Sequence, residues 1–554
     1  MRAFRASALC PLLSALCLFA CAPAPPPRAV APPPPPQLIT SGTAQRVVLV
    51  SFDGLGADAL AAQPDLPAFA ALGTPTRVVP VTPTATSSAH ASILTGAQPE
   101  VHGVVANRFH VAGAPPEETM HGLMAEIEVE TLVESARRQG KRVGSVPFPS
   151  VDGRTPRRMG DFGYAWAASA TSPRTLHLTR DDFHREWVPP TWSTRPQRRV
   201  SYSPIMRARV EWSVPEKTRT DVDVVAYDTT NDAAVNYDLF LVESGAREIT
   251  PDANGWFAIS SQTGEALYGS WSKFLNRDPA LADVAIYWGA ISRTYAWPES
   301  YQAMLDAEIG FWPGAVDERR ELGAEMFIDQ LNRVADFMTR AQVLTIQRMP
   351  FDLLLAYQPN IDTASHTRYN EPAVVRAAFV ASDRAVSAIR AALDPSRDAL
   401  VVTGDHGIAP VDTEIGMNRL LADNGLSSWQ AYASGNVAHV YGSGDADAVV
   451  AALKATGLFD QVTKKSATAH RNSGDVVAYA RTNVILSPSS EAPAIAPATS
   501  AANHGGLSFH RELHTVLFAT GAGSPQNPPA EVSQTRIARF VSQLLGIQPP
   551  TAAE

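Results

Sequence analysis

The sequence predicts an α/β protein organised around a doubly wound, mostly parallel sheet, enlarged by a β-rich insertion and a small α+β lid. Two observations predict the sheet. Short apolar runs end in polar or acidic residues: "RVVLVSFDG" at 46–54, "FDLLLAYQPN" at 351–360, "ALVVTGDHG" at 399–407 and "HTVLFATG" at 514–521. Such runs suit strands covered on both faces in a parallel sheet. Between them lie helical patterns, "EMFIDQLNRVADFMTRAQVL" at 325–344 and "PAVVRAAFVASDRAVSAIRAAL" at 372–393, and alternating strands and helices build doubly wound sheets. A third observation predicts the insertion. Between about 200 and 300 the pattern changes to short alternating stretches such as "RARVEWSVP", "DVDVVAYD" and "GWFAISS". Eight of the ten tryptophans lie between Trp166 and Trp297, enough to build a separate core and pack it on the main domain.

The N-terminus, "MRAFRASALCPLLSALCLFAC", places Arg2 and Arg5 before an apolar stretch, as a secretory signal does. "LFAC" is similar to a bacterial lipobox, which would make Cys21 the lipidated first residue. Cys10, Cys17 and Cys21 are the only cysteines, so an exported chain without disulfides has this use for its last one. Residues 22–44, with "APAPPPRAVAPPPPPQ", read as an extended spacer off the membrane. The expected plan is a signal at 1–21, the spacer, a catalytic domain at 45–199 and 301–549, the insertion at 200–300, and the lid at 411–500. "DADAVVAALKATGLF" supplies a lid helix, "DVVAYARTNVIL" a lid strand, and "EVSQTRIARFVSQLLG" a closing helix. The net charge of −9 argues against a nucleic-acid polymer as partner; a small phosphate ester in a local positive pocket fits.

In open α/β sheets ligands gather at the carboxyl ends of strands. There the sequence sets Asp53, Asp362 and His366 in "NIDTASHTRY", Asp405 and His406 in "TGDHG", and His504 in "ANHGG". Three carboxylates and three imidazoles suit zinc. Divided into two sets of three, they leave open positions, and two metals ~3.5–4 Å apart can stabilise both oxygens of an in-line phosphoryl displacement. Each piece alone has a plain alternative, since Asp-Gly and Asp-His-Gly also make turns.

Together, in this order, they resemble the alkaline phosphatase superfamily, and in particular its nucleotide pyrophosphatase/phosphodiesterase branch. The nucleophile motif of that branch, P-T-x-T-x-x-x-H followed by T-G, P-E-x-H-G and an Asn, stands here as "PTATSSAH" (83–90), "TG" (95–96), "PEVHG" (99–103) and Asn107. The resemblance implies an alkaline phosphatase-like fold over roughly 45–160 and 315–545 and leaves the insertion unexplained. It implies Thr86 as a metal-bound nucleophile and Asn107 as donor to a phosphate oxygen. It implies one zinc on Asp362, His366 and His504 and another on Asp53, Asp405 and His406.

A free threonine hydroxyl is a poor nucleophile near neutral pH; coordination lowers its pKa. Thr86 also opens a predicted helix, whose N–H groups and dipole favour a phosphate. Thr82, Thr84, Ser87 and Ser88 are expected to serve as caps and turn bonds, His90 and His102 to be structural, and His439 and His470 to lie on the surface. His510 is the runner-up for the sixth ligand. Many nucleotide-cleaving relatives follow the nucleophile with an aromatic residue; here it is Ser87, unless Phe109, Tyr357 or a tryptophan of the insertion stacks a base. Arg154, Arg157 and Arg158 are expected in a solvated loop rather than at the site. A dianionic monoester needs more positive charge than a diester. The expected function is therefore an exported, lipid-anchored, two-zinc phosphodiesterase or nucleotide pyrophosphatase. A phosphomonoesterase is the alternative, and a non-catalytic surface protein the third reading.

Overall fold

The computed structural model describes residues 38–115, 118–165, 169–185, 199–245, 247–264 and 266–554. Cys21, Trp166, Trp187 and Trp192 lie outside the described residues. The packed chain starts ahead of Gln45: Leu38 is buried, and the Ser41 N–H donates to the Gly523 carbonyl at 2.9 Å.

The main sheet has nine strands among the described residues. They are β1 (Arg46–Phe52), β2 (Thr76–Val79), β3 (Val143–Val146), β4 (Phe162–Ala165), β5 (Tyr295–Trp297), β6 (Leu353–Gln358), β7 (Asp398–Gly404), β8 (Thr515–Gly521) and β9 (Glu531–Ser533). Across the sheet the order is β5-β4-β3-β6-β1-β7-β8-β2-β9. The consecutive strands β4, β3, β6, β1 and β7 are parallel. One strand departs from the parallel expectation for its apolar run: β8 is antiparallel to β7. Its start, not its end, therefore lies where β1, β6 and β7 finish, and residues preceding β8 reach that end of the sheet.

Helices cover both faces. Those used below are α1 (Thr86–Thr95), α2 (Leu132–Arg138), α3 (Gly323–Arg348), α4 (Asn360–Arg368), α5 (Pro372–Ala391) and α6 (Arg536–Leu545). The two-residue period of β1 divides its side chains between two cores. Val48, Val50 and Phe52 pack with Leu331 and Phe337 of α3 and Phe379 of α5. Val47 and Leu49 pack with Ile93 of α1, Leu132 of α2 and Phe540 of α6. Full burial of each such side chain contributes roughly 1.5–3 kcal/mol. α1 stops at Gly96, whose φ of 71° is left-handed and whose N–H closes back on Ser92.

The insertion is two antiparallel sheets around one core containing Trp212, Phe257 and Trp288. Strands Arg174–Leu178 and His184–Arg185, upstream of residue 200, belong to these sheets. Trp212 Nε1 donates across the sandwich to Ser270 Oγ at 2.8 Å. Trp256 and Trp271 hold the Arg333 guanidinium of α3 at 4.4 Å from each ring; this cation–π clamp docks the insertion on the main domain. Within 411–500, four antiparallel strands (Trp429–Ser434, Val437–Gly442, Phe459–Lys464, Val476–Ala480) pack with the helix Ala446–Ala455 around Val440, Leu453 and Val476.

Candidate metal centre

Strand register builds the site. Phe52 at the end of β1 pairs with Gln358 of β6 on one side and Gly404 of β7 on the other. Asp53 and Asp405 therefore leave the sheet side by side. α4 starts two residues after β6, and Asp362 and His366 are one turn apart on it, so they share a helix face. His504 arrives on the segment ahead of β8. The ligand atoms of Asp53, Asp405 and His406 lie within 4.8 Å of one another, and so do those of Asp362, His406 and His504. His366 joins through Asp362, its Nε2 3.2 Å from Oδ1. All six residues singled out in the sequence thus form one contiguous cluster, with His406 belonging to both halves.

The three imidazoles share one arrangement. Nδ1 of His366 lies 3.1 Å from the Ala502 carbonyl, that of His406 3.2 Å from the Gly407 carbonyl, and that of His504 3.0 Å from the Thr84 carbonyl. A carbonyl only accepts, so Nδ1 carries the proton and Nε2 faces the carboxylates. That is the tautomer a metal ligand needs. The carboxylates match. Asp53 takes a bond from the Tyr357 hydroxyl on Oδ2, and Asp405 takes the Gly54 and His406 N–H groups on Oδ1. Asp53 Oδ1, Asp405 Oδ2 and Asp362 Oδ1 are buried without an aligned donor. Such oxygens are costly to bury alone, and divalent cations satisfy them.

The charges point the same way. Burial, then the neighbouring Asp362 and Asp405, push the Asp53 carboxyl well above its usual range. Burial would also raise Asp362 and Asp405, but His366 for the first and His406 and His90 for the second hold them low. Burial would lower His366, yet Asp362 carries it up to about 9, whereas burial and His406 push His504 down to about 3. Protons stand here where cations fit.

Thr86 is the first residue of α1, whose N-cap is Ala85, and its hydroxyl does not cap the helix. Instead Oγ1 lies 3.2 Å from His406 Nε2. His90 fixes this residue: Nδ1 donates to the Thr86 carbonyl at 2.8 Å, and Nε2 meets Ser51 Oγ at 2.9 Å. Asn107 Oδ1 accepts the Ser87 N–H at 2.9 Å, which sets the amide beside the start of the helix.

Several expectations are corrected. Thr82 and Thr84 do not cap α1; their hydroxyls accept the Ser508 and Gly505 N–H groups and tie this loop to the His504 loop. Ser87 and Ser88 are buried with hydroxyls unpartnered. His439 is buried in the lid, not on the surface. His510 pairs with Asp460 at 2.8 Å and is no ligand. Arg158 is buried, bonded to Asp152 and to the Leu123 and Ala125 carbonyls, so it is not in a solvated loop; Arg154 and Arg157 are exposed as expected, the first 3.6 Å from Asp152 and the second 2.8 Å from Glu134. Phe109 is fully buried and cannot stack a base. The bond from Tyr357 to Asp53 had no signal in the sequence; the tyrosine stood out only as an aromatic candidate.

Comparison with known proteins bears on this geometry. Residues 47–244 and 249–506 match the family model for type I phosphodiesterase / nucleotide pyrophosphatase. A curated relative, bis(5'-adenosyl)-triphosphatase enpp4 of Xenopus laevis, is 28% identical over 186 residues, which cover 32% of this chain and 37% of that protein. Murine ectonucleotide pyrophosphatase/phosphodiesterase 5 shares the fold with a TM-score of 0.51 at 15% identity, covering 91% of this chain and 96% of that one. Phosphonoacetate hydrolase from Sinorhizobium meliloti 1021, in complex with phosphonoacetate, gives 0.50 at 15% identity over 92% and 99%. With its motifs gathered at one end of an alkaline phosphatase-like sheet and the family pattern running through most of its length, the chain belongs to the type I phosphodiesterase/nucleotide pyrophosphatase family.

Proposed function

We propose that this chain hydrolyses phosphoric diesters or nucleotide pyrophosphates with two zinc ions and a phosphothreonine intermediate on Thr86. The observation that carries the reading is the Thr86 hydroxyl, unused by its own helix and 3.2 Å from His406 at the cluster of three carboxylates and three imidazoles. Zinc held by Asp53, Asp405 and His406, and by Asp362, His366 and His504, would supply the charge that acidifies the hydroxyl and stabilises the oxygens of the displacement. Thr86 Oγ1 gives its proton to solvent and forms a bond to phosphorus as the bond to the leaving oxygen breaks, and that oxygen takes a proton from solvent. Water then attacks from the vacated side and returns the hydroxyl to Thr86. The amide of Asn107, its oxygen held by the Ser87 N–H, turns its N–H₂ to a phosphate oxygen.

Two comparisons support a nucleotide-type substrate: the curated relative is named for splitting bis(5'-adenosyl) triphosphate, and an inactive threonine-to-alanine form of the murine protein was solved with AMP. The bonding of Arg157 to Glu134 and of Arg158 to Asp152 favours diesters over monoesters. The signal-like N-terminus supports export and a lipid anchor at Cys21 on a bacterial cell envelope. The test is Thr86→Ala, expected to abolish hydrolysis of bis-p-nitrophenyl phosphate while bound zinc, read by elemental analysis, stays near wild type. Retained turnover excludes the mechanism.

A further inference from the structure

We infer that the 411–500 subdomain is a fixed buttress that positions Asn107, with His439 and Asn472 as its positioning residues. The inference rests on the reading of Asn107 as a phosphate-binding group. Asn107 sits in the middle of the segment 103–112, which has little structure of its own beyond the two-residue strand Arg108–Phe109. Val104, Val105 and Phe109 bury the segment in the main core, the Asn107 carbonyl accepts the Gly122 N–H at 2.9 Å, and on its other side the segment is bonded to the subdomain. His439, buried on the strand Val437–Gly442, places Nε2 3.2 Å from the Val105 carbonyl. The Gly474 N–H donates to the other ring nitrogen at 3.0 Å, so Nδ1 is the acceptor and the ring proton sits on Nε2, donating to Val105. Burial drives the His439 imidazole down to about 4, so this bridge stays neutral and intact near neutral pH.

Asn472 grips the same segment at both ends. Its Nδ2 donates to the Gly103 carbonyl at 3.0 Å, and its Oδ1 accepts the Ala112 N–H at 3.4 Å. Tyr441 adds a third point: its hydroxyl accepts the His110 N–H at 3.3 Å and donates to the Asn472 carbonyl. Outside these, Glu128 takes bonds from His470 and Arg471. Five subdomain side chains thus hold ground on the side of Asn107, none of them in the metal cluster. A lid that opened with each turnover would break these bonds, of which His439 to Val105 and Asn472 to Gly103 are buried; a buttress keeps them.

The experiment measures kinetics on bis-p-nitrophenyl phosphate for His439→Phe and Asn472→Asp, each alone and combined with Asn107→Ala, in the zinc-loaded full chain. Each single variant should raise KM about tenfold with zinc content unchanged, and hydrogen exchange of the amides at 103–110 should quicken. In the Asn107→Ala background the same substitutions should add almost nothing, the signature of coupled sites. Full additivity, or unchanged exchange, overturns the inference. Wild-type kinetics in Asn107→Ala alone would instead remove the phosphate role from Asn107, while exchange still decides whether the subdomain fixes the segment. Should His439→Phe fail to accumulate, Tyr441→Phe removes a single hydroxyl and should shift KM and exchange in the same direction to a smaller extent.

Discussion

The crowding of like charge between Asp53 and Asp405 gives a prediction with a sign that reverses. Their ligand oxygens lie within 4.8 Å. Two unit charges at that distance repel by about 3.5 kcal/mol at an effective dielectric constant of about 20. Asp53→Asn removes this repulsion yet keeps an acceptor for the Tyr357 hydroxyl. Without metal, the variant should therefore be more stable than wild type, by about 3.5 kcal/mol at alkaline pH. The gain should shrink at acid pH: burial, Asp362 and Asp405 raise the folded Asp53 carboxyl above its unfolded value, so the metal-free wild type loses stability as pH rises through that raised value. With zinc the order should invert, because the variant has lost a ligand; a site filled at a thousandfold excess over Kd adds about 4.1 kcal/mol to wild type, more than the repulsion it offsets. Urea denaturation of both proteins, at pH 5 and pH 8, with zinc and with a chelator, gives all the quantities needed. A variant less stable than wild type without metal, or an equal zinc effect on both, refutes a cation between these carboxylates.

Other outcomes follow from the same geometry. Asp362→Ala and His504→Ala should each lower the zinc content by about one ion per chain, read by elemental analysis, if two metals share the six proposed ligands; unchanged stoichiometry refutes the ligand set. Hydrolysis of bis-p-nitrophenyl phosphate should outpace that of p-nitrophenyl phosphate, because Arg157 and Arg158 of the 154–158 stretch are bonded to Glu134 and Asp152 and leave little charge for a dianion; a strong monoester preference refutes the assignment. Arg158→Met should lower unfolding free energy by about 3 kcal/mol in urea, because it leaves Asp152 and two carbonyls without their buried partner; an unchanged midpoint refutes the structural role.

Much of the carboxylate–imidazole cluster was legible in the sequence. Strand-end carboxylates announce themselves because an apolar run has to stop where the chain turns, and Asp53 and Asp405 stand at those stops. Asp362 and His366 announce themselves by a helical spacing. The direction of β8 was not legible, since an apolar run reads alike in parallel and antiparallel strands. The burial of His439 and Arg158 was hidden for a related reason: their partners, Val105 and Gly474 for one and Leu123, Ala125 and Asp152 for the other, are backbone carbonyls, an N–H and one acid, none marked by side-chain pattern.

By itself, then, the sequence determined which carboxylates and imidazoles stand at the ends of which elements, because residue type and periodicity are local properties of the chain. Only the tertiary structure decided that His406 serves both halves of the cluster, that each imidazole offers Nε2, and that the Thr86 hydroxyl turns to the cluster instead of capping its helix. Those outcomes depend on register between strands hundreds of residues apart and on which carbonyl happens to face each ring, and neither is written in any one segment.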